Sequence, residues 1–348
     1  MLTRRHFLQG SLLGSLLGVG CGEGTTDGRP ARATLPPAGP PFPTSIVRAS
    51  RAEVEGTLTV ISGTVPTDML GYALAVGAIP EGGGTPLFTG DGMVYRLGFE
   101  GGTPTLKTRL IRTDDFLLDE ATLNDPQLAY KSAGMARLSP AFGGRNFANT
   151  ALTPIANGRL IASYDAGRPW EIDPATLDVL TPVGKQSTWR ASLPPMSPGL
   201  SFMPIHMSTA HPAWDPDEGV LYVVNYAPPM DGLEMEPFLH LLRWDTKAEP
   251  IVTTLREKGG NAILRQSCHQ MHVTKHHVVL CDGAFRIEPE QMAGRDVSHP
   301  QASTTTLFVV PKDALRAGGE VEAVRVEIPI EAVHFLVGTA PVLGGENV

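Results

Sequence analysis

The amino-acid sequence predicts an all-β fold of the β-propeller type, and three observations carry that expectation. Glycine and proline are both abundant, 38 and 31 of 348 residues, as many short strands joined by tight turns require. Short β-type apolar runs recur from about residue 45 onward, and no apolar period of 3.6 residues is sustained for more than a few turns. Three histidines, His211, His269 and His334, lie 58 and 65 residues apart, and each adjoins such a run. That spacing excludes one helix or one local loop and suggests one histidine from each of three successive β units. Strands radiating from a common axis bring equivalent inner positions together, so the three side chains can share one metal ion. Imidazoles without carboxylate or thiolate suit iron, copper, nickel or zinc and disfavour calcium and magnesium. The alternative is a histidine that binds nothing, the commoner fate of a histidine in any chain.

Taken in order, residues 1–20 read as an export leader outside the fold. Thr3-Arg4-Arg5-His6-Phe7-Leu8-Gln9 is a near match to the twin-arginine signal, and the apolar stretch 11–20 is too short to span a bilayer. Cys21 follows where a lipoprotein peptidase cuts, although Gly18 stands where leucine is usual. Residues 21–43, dominated by Gly, Pro, Thr and Ala, read as a tether. Residues 44–348 contain no further linker and read as one domain. Strands are expected at 57–61, 72–76, 93–99, 106–112, 159–164, 220–225, 277–281, 305–310 and 321–328, the last half exposed because one of its faces is mixed. Turn clusters such as Asp215-Pro216-Asp217-Glu218-Gly219 separate them. The stretch 119–138 is expected to hold a short helix.

The chain carries 28 basic and 36 acidic residues, a formal charge of −8, which disfavours nucleic acid and anionic membrane faces as partners. Membrane contact is expected only through a lipid anchor on Cys21. Cys268 and Cys281 read either as two buried thiols or as a disulfide that an oxidising compartment would permit. The sequence has no G-x-S-x-G elbow, phosphate-binding loop, strand-bound G-x-G-x-x-G, C-x-x-C or H-E-x-x-H. His272 and His276 are four apart, but no glutamate follows His272, and both read as edge histidines.

Several segments together resemble the carotenoid cleavage oxygenases. Ile61-Ser62-Gly63-Thr64-Val65-Pro66 and the residues to Gly71 look like that family's opening phrase, and Thr89-Gly90-Asp91-Gly92-Met93-Val94 is close to its glycine-rich turn. Arg109-Leu110-Ile111-Arg112-Thr113, Asn149-Thr150-Ala151 and Trp170-Glu171-Ile172-Asp173-Pro174-Ala175-Thr176-Leu177 follow in the family's order. Ala210-His211-Pro212 and the span from His269 to Thr274 are similar to its first two iron-ligand motifs. His334 stands in the place of the third, although Leu336-Val337-Gly338 lacks the usual asparagine.

The resemblance implies a seven-bladed propeller whose axis holds one Fe(II) on four histidines, under loops that enclose an apolar tunnel. By resemblance His211, His269 and His334 are three of the ligands. Four neutral imidazoles leave a position open to O2 beside an apolar polyene or stilbene-like alkene, and the family splits one C=C bond of such a substrate into two carbonyl products. A family glutamate that accepts the outer N–H of a ligand imidazole falls at Asp165. Aspartate is shorter by one methylene and is expected to reach its histidine through water; Asp165 as a plain loop acid is the alternative. Family members continue for about two more blades and place the fourth histidine near their end, whereas this sequence stops fourteen residues past His334. The expectation is therefore an incomplete propeller, read as an exported, lipid-anchored non-heme iron dioxygenase on the periplasmic side of the envelope. The alternative is a non-catalytic propeller lipoprotein that binds an apolar ligand. For export, Arg4→Lys with Arg5→Lys is expected to leave unprocessed precursor in the cytoplasm; normal processing of that variant, followed by immunoblot of cell fractions, counts against this route.

Overall fold

The computed structural model of the protein describes residues 50–79, 89–133, 136–139, 143–193, 204–230, 235–283 and 301–338. The expected leader, tether and Cys21 lie outside the described residues. Strands β1 (Glu55–Thr57), β2 (Tyr72–Ile79), β3 (Asp91–Gly98) and β4 (Thr105–Leu110) form a first sheet in the order β1-β4-β3-β2. A helix, α1 (Asp114–Thr122), follows, and β5 (Lys131–Ala133), β6 (Ala136–Ser139) and β7 (Gly143–Gly144) make a small sheet. Strands β8 (Ala151–Pro154), β9 (Leu160–Ser163), β10 (Trp170–Ile172) and β11 (Val179–Pro182) form an antiparallel meander. A second meander is β12 (Ala213–Asp215), β13 (Val220–Ala227), β14 (Phe238–Trp244) and β15 (Ile251–Glu257), extended by β16 (Gly260–Asn261). The last sheet runs β17 (Met271–Val273), β18 (His277–Asp282), β19 (Thr305–Pro311) and β21 (Val324–Ile328), with β20 (Gly319–Glu322) paired elsewhere. Edge strands β2, β8, β12 and β17 are neighbours in space, β2 beside β8, β8 beside β12 and β12 beside β17. Four meanders that meet along one edge are propeller blades around a common axis. Among the described residues no helix is long and apolar enough to cross a membrane.

Side-chain alternation along each strand divides the core into layers between blades. On β13, Leu221 and Val223 pack with Leu242 and Trp244 against Ile161, Val183 and Trp189 of the preceding blade. The alternate residues Tyr222, Val224 and Tyr226 pack with Leu239 and Leu241 against Val278, Leu280 and Phe308 of the next. Strand β9 repeats the pattern: Leu160 and Ala162 face Val94 of the first sheet, and Ile161 faces the other way. A strand buried on both faces reads as an unbroken apolar run, which is why Val220-Leu221-Tyr222-Val223-Val224 carries no polar alternation.

Two expectations on the elements are corrected. The helix lies at Asp114–Thr122, ahead of most of the 119–138 window, because Thr113 caps it by accepting from the Phe116 N–H (3.1 Å) and Asp114 and Asp115 occupy its first turn. The stretch 321–328 is two strands rather than one. Gly318 and Gly319, at φ +72° and +85°, turn the chain so that β20 runs parallel to β15, and β21 then pairs antiparallel with β19. Ala323 is buried at the crossing, and its N–H donates to the Arg256 carbonyl (2.7 Å). The step ties two blades at their outer edges and leaves Val324 and Val326 exposed.

Buried charge fastens the small sheet and α1 to the first blade. Arg137, 1% exposed, donates through Nη1 to Asp91 (2.9 Å) and Asp119 (3.5 Å), with its guanidinium between the Tyr130 and Phe147 rings. Arg145 shares Asp119, and Arg51 shares Asp91. Near the chain start, Glu53 accepts from the Leu110 N–H (2.9 Å), Arg109 (2.9 Å) and Arg112 (2.5 Å). Burial would raise this carboxyl; the Arg112 hydrogen bond, the Leu110 N–H and Arg109 outweigh it and bring it to about 2. A carboxyl held below its ordinary 4.5 stabilises the fold above that pH, and the contribution is lost as pH falls from there through 2. Glu53→Gln is expected to cost about 1–2 kcal/mol at neutral pH after allowance for solvent screening. The wild-type advantage in urea midpoint should narrow by about half near pH 3; a gap that stays constant with pH refutes the clamp.

Candidate metal centre

His211 and His269 occupy equivalent places in successive blades, each two residues ahead of its blade's inner strand, β12 or β17. Backbone hydrogen bonds fix them to each other. The His211 N–H donates to the His269 carbonyl (3.0 Å) and the Met271 N–H donates to the His211 carbonyl (3.1 Å), which makes a parallel bridge between His211 and Gln270. The Thr209 hydroxyl donates to the same His269 carbonyl (2.9 Å) and accepts from the His211 N–H (3.3 Å). Ser163 at the end of β9 donates to the Ala210 carbonyl, so the preceding blade holds the approach to His211. His334 arrives after β21: Thr305 at the start of β19 donates to the Ile330 carbonyl and accepts from the Ala332 N–H, both at 2.9 Å.

The three rings meet nearly symmetrically. Centroid separations are 4.9 Å for His211–His269, 5.0 Å for His211–His334 and 4.9 Å for His269–His334, with interplanar angles of 75°, 73° and 75°. One nitrogen from each lies within 4.8 Å of the others. Burial, then the neighbouring His269 and His334, push His211 down to about 4. Burial and His269 also lower His334. Imidazoles held neutral keep the lone pairs that a metal needs.

Asp165, in the turn between β9 and β10, is buried, and its Oδ1 lies 2.7 Å from His269 Nδ1. The contact is direct, so the expected water bridge is not needed. The reason is that the Asp165 carbonyl accepts from the Ser208 N–H (2.7 Å), which draws the turn toward the approach to His211. A carboxylate only accepts, so Nδ1 carries the proton and the Nε2 lone pair is left for a metal. On the far side, Gln270 Oε1 meets His334 Nδ1 at 3.0 Å. Sequence reasoning missed Gln270, Thr209 and Ser163; their roles come from long-range contacts with no local signal. His272 hydrogen-bonds the Val273 carbonyl and lies against Phe335, outside the cluster, and His276 is likewise not brought into it. Cys268 and Cys281 are buried free thiols; burial raises both, Cys281 to about 12, which makes them inert small hydrophobes rather than ligands.

This donor set fits a first-row transition metal. Three imidazoles, two of them with the outer nitrogen already engaged, form the open-faced arrangement such ions take at metal–nitrogen distances of about 2.0–2.1 Å, as for zinc. It is a three-histidine cluster compatible with a metal site.

Comparison with known proteins agrees with the fold. The family model for the retinal pigment epithelial membrane protein matches residues 47–337. A probable chloroplastic carotenoid cleavage dioxygenase 4 of Arabidopsis thaliana is 23% identical over 298 residues, covering 78% of this chain and 45% of the plant protein. The lignostilbene dioxygenase of Pseudomonas brassicacearum superposes with a TM-score of 0.57 at 22% identity, covering 84% of this chain and 58% of that one. A variant of the Synechocystis apocarotenoid oxygenase superposes at 0.55 and 20% identity, covering 82% and 58%. The chain thus spans less than three fifths of the length of these relatives.

Asp165→Ala is expected to weaken binding of a divalent transition metal by about 10–100-fold through loss of imidazole orientation, with the circular dichroism spectrum unchanged. Metal affinity equal to wild type would show Asp165 to be an ordinary loop acid.

Proposed function

Because the chain belongs to the retinal pigment epithelial membrane protein family, that of the carotenoid cleavage oxygenases, we propose that its three-histidine cluster holds one Fe(II). We infer that the protein splits a C=C bond of a carotenoid, apocarotenoid or stilbene-like substrate with O2. The observation that carries this reading is the near-threefold meeting of His211, His269 and His334, three imidazoles drawn from separate parts of the chain. It is supported by the relatives named as lignostilbene and apocarotenoid oxygenases.

The chain's own residues hold and orient. His211 and His269 are set by backbone bonds at the mouth of their blades, so their separation is a property of the fold. Asp165 keeps the His269 proton on the outer nitrogen. The iron, when bound, supplies the activation of O2 that no side chain can provide. The reaction balances without an external reductant: one C=C bond is broken, and each oxygen atom of O2 ends in one of two carbonyl products. A second reading keeps the propeller and the histidine cluster but not the turnover. In it the protein is a propeller that binds an apolar ligand without turning it over.

Anaerobic reconstitution separates the two. Wild type is expected to take up about one Fe(II) per chain and, given O2 and a stilbene or apocarotenoid, to release two carbonyl products labelled from 18O2. His211→Ala and His269→Ala should each abolish iron retention, because the remaining imidazoles cannot hold the ion against exchange. Full iron occupancy in either variant refutes the site, and stoichiometric substrate binding without product favours the binding propeller.

A further inference from the structure

Gln270 touches all three members of the cluster. It follows His269 directly, its backbone lies in the parallel bridge with His211, and its side-chain oxygen faces both the His334 Nδ1 and the Phe335 N–H, each at 3.0 Å. The second contact settles the first. A backbone N–H can only donate, so the Gln270 atom it meets is the amide oxygen, and an amide oxygen can only accept. His334 must therefore donate from Nδ1, which leaves the lone pair on Nε2.

We propose that Gln270 is a positioning residue of the metal centre, one that locks His334 in the Nδ1-protonated form with Nε2 available to the ion. The inference rests on the metal-site reading of the cluster. His334 needs such a partner more than the other two histidines do, because it is exposed and follows the last strand instead of preceding an inner one. Thr305 anchors the chain only as far as Ala332. From there, the Phe335 backbone and the His334 ring are fastened together by one oxygen, so both the position and the rotation of the imidazole depend on it. Gln270 does for His334 what Asp165 does for His269, but with a neutral acceptor. A carboxylate raises the basicity of its imidazole and an amide does so less, which makes His334 the weaker donor of the pair.

The test uses the full chain with Gln270→Leu and Gln270→Glu. Co(II) affinity, read by competition with a chelating dye, is expected to fall about 10–100-fold in the leucine variant and to equal or exceed wild type in the glutamate variant. In a His334→Ala background, Gln270→Leu should cause no further loss, since its effect passes through that ring. A second readout needs no metal: nitrogen-15 chemical shifts of labelled histidine in the apo protein should report Nδ1–H for His334 in wild type and a mixture of tautomers in Gln270→Leu. Unchanged affinity together with unchanged His334 shifts overturns the proposal, as does an equal loss of affinity in the His334→Ala background. If wild type takes up no metal but the tautomer shift appears, the iron reading fails and the hold of Gln270 on His334 stands.

Discussion

The site depends on one backbone junction, the parallel bridge that sets His211 beside Gln270 at the inner ends of two blades. Each of its hydrogen bonds contributes only about 0.5–1.5 kcal/mol net, yet together they fix the separation of two histidine Cα atoms that are 58 residues apart in sequence. The bridge can form because the blades are already spaced by the layer of Tyr222, Val224, Tyr226, Val278, Leu280 and Phe308. Packing at that density responds to a change of a single methylene. The geometry of the histidine pair is thereby tied to core volume.

Charge is arranged so that the buried ion pairs lie away from the cluster. Other buried acids of the described residues are engaged elsewhere: Asp91 and Asp119 with Arg51, Arg137 and Arg145, Glu171 with Arg159, Asp215 with Lys312, and Asp282 with the Arg265 and Gln266 N–H groups. Asp165 alone among them hydrogen-bonds a cluster imidazole. Burying an unpaired charge costs several kcal/mol, roughly, even after relaxation, so pairing these acids with arginines and N–H groups keeps the fold's electrostatics away from the axis. His211, pushed down to about 4 by burial and by its two neighbours, is neutral over the range in which the protein would bind a metal.

The fold class and the places of His211 and His269 were legible because both rest on repetition: apolar runs at blade spacing, and the same position two residues ahead of an inner strand; His334, which follows an outer strand, lies outside that repetition. What escaped depends on contacts between distant residues. The break at Ala323 is invisible in 321–328, whose alternation suits one strand as well as two, and it is the two glycines before it that redirect the chain. The helix start was readable in Thr113-Asp114-Asp115, where the capping chemistry outweighs the apolar pattern that favours a later start. Asp165 was found by its place in a family phrase, but its direct contact with His269 depends on a hydrogen bond to Ser208, 43 residues on. Nothing local distinguishes Gln270 from any other strand-edge glutamine.

The three histidines are not equivalent, and the difference follows from how each is delivered. His211 and His269 precede inner strands and are ordered by the ladder that forms their blades, so they are in place as soon as β12 and β17 pair with their neighbours. His334 comes after an outer strand, crosses back toward the axis over a few residues hooked to Thr305, and is oriented by a side chain rather than by a sheet. A side chain held by one amide oxygen loses less order when released than one held by a ladder, and local opening is drawn from such low-stability segments. Two of the histidines are therefore part of the scaffold while the third closes on it, and the geometry of the cluster is set at its least anchored member.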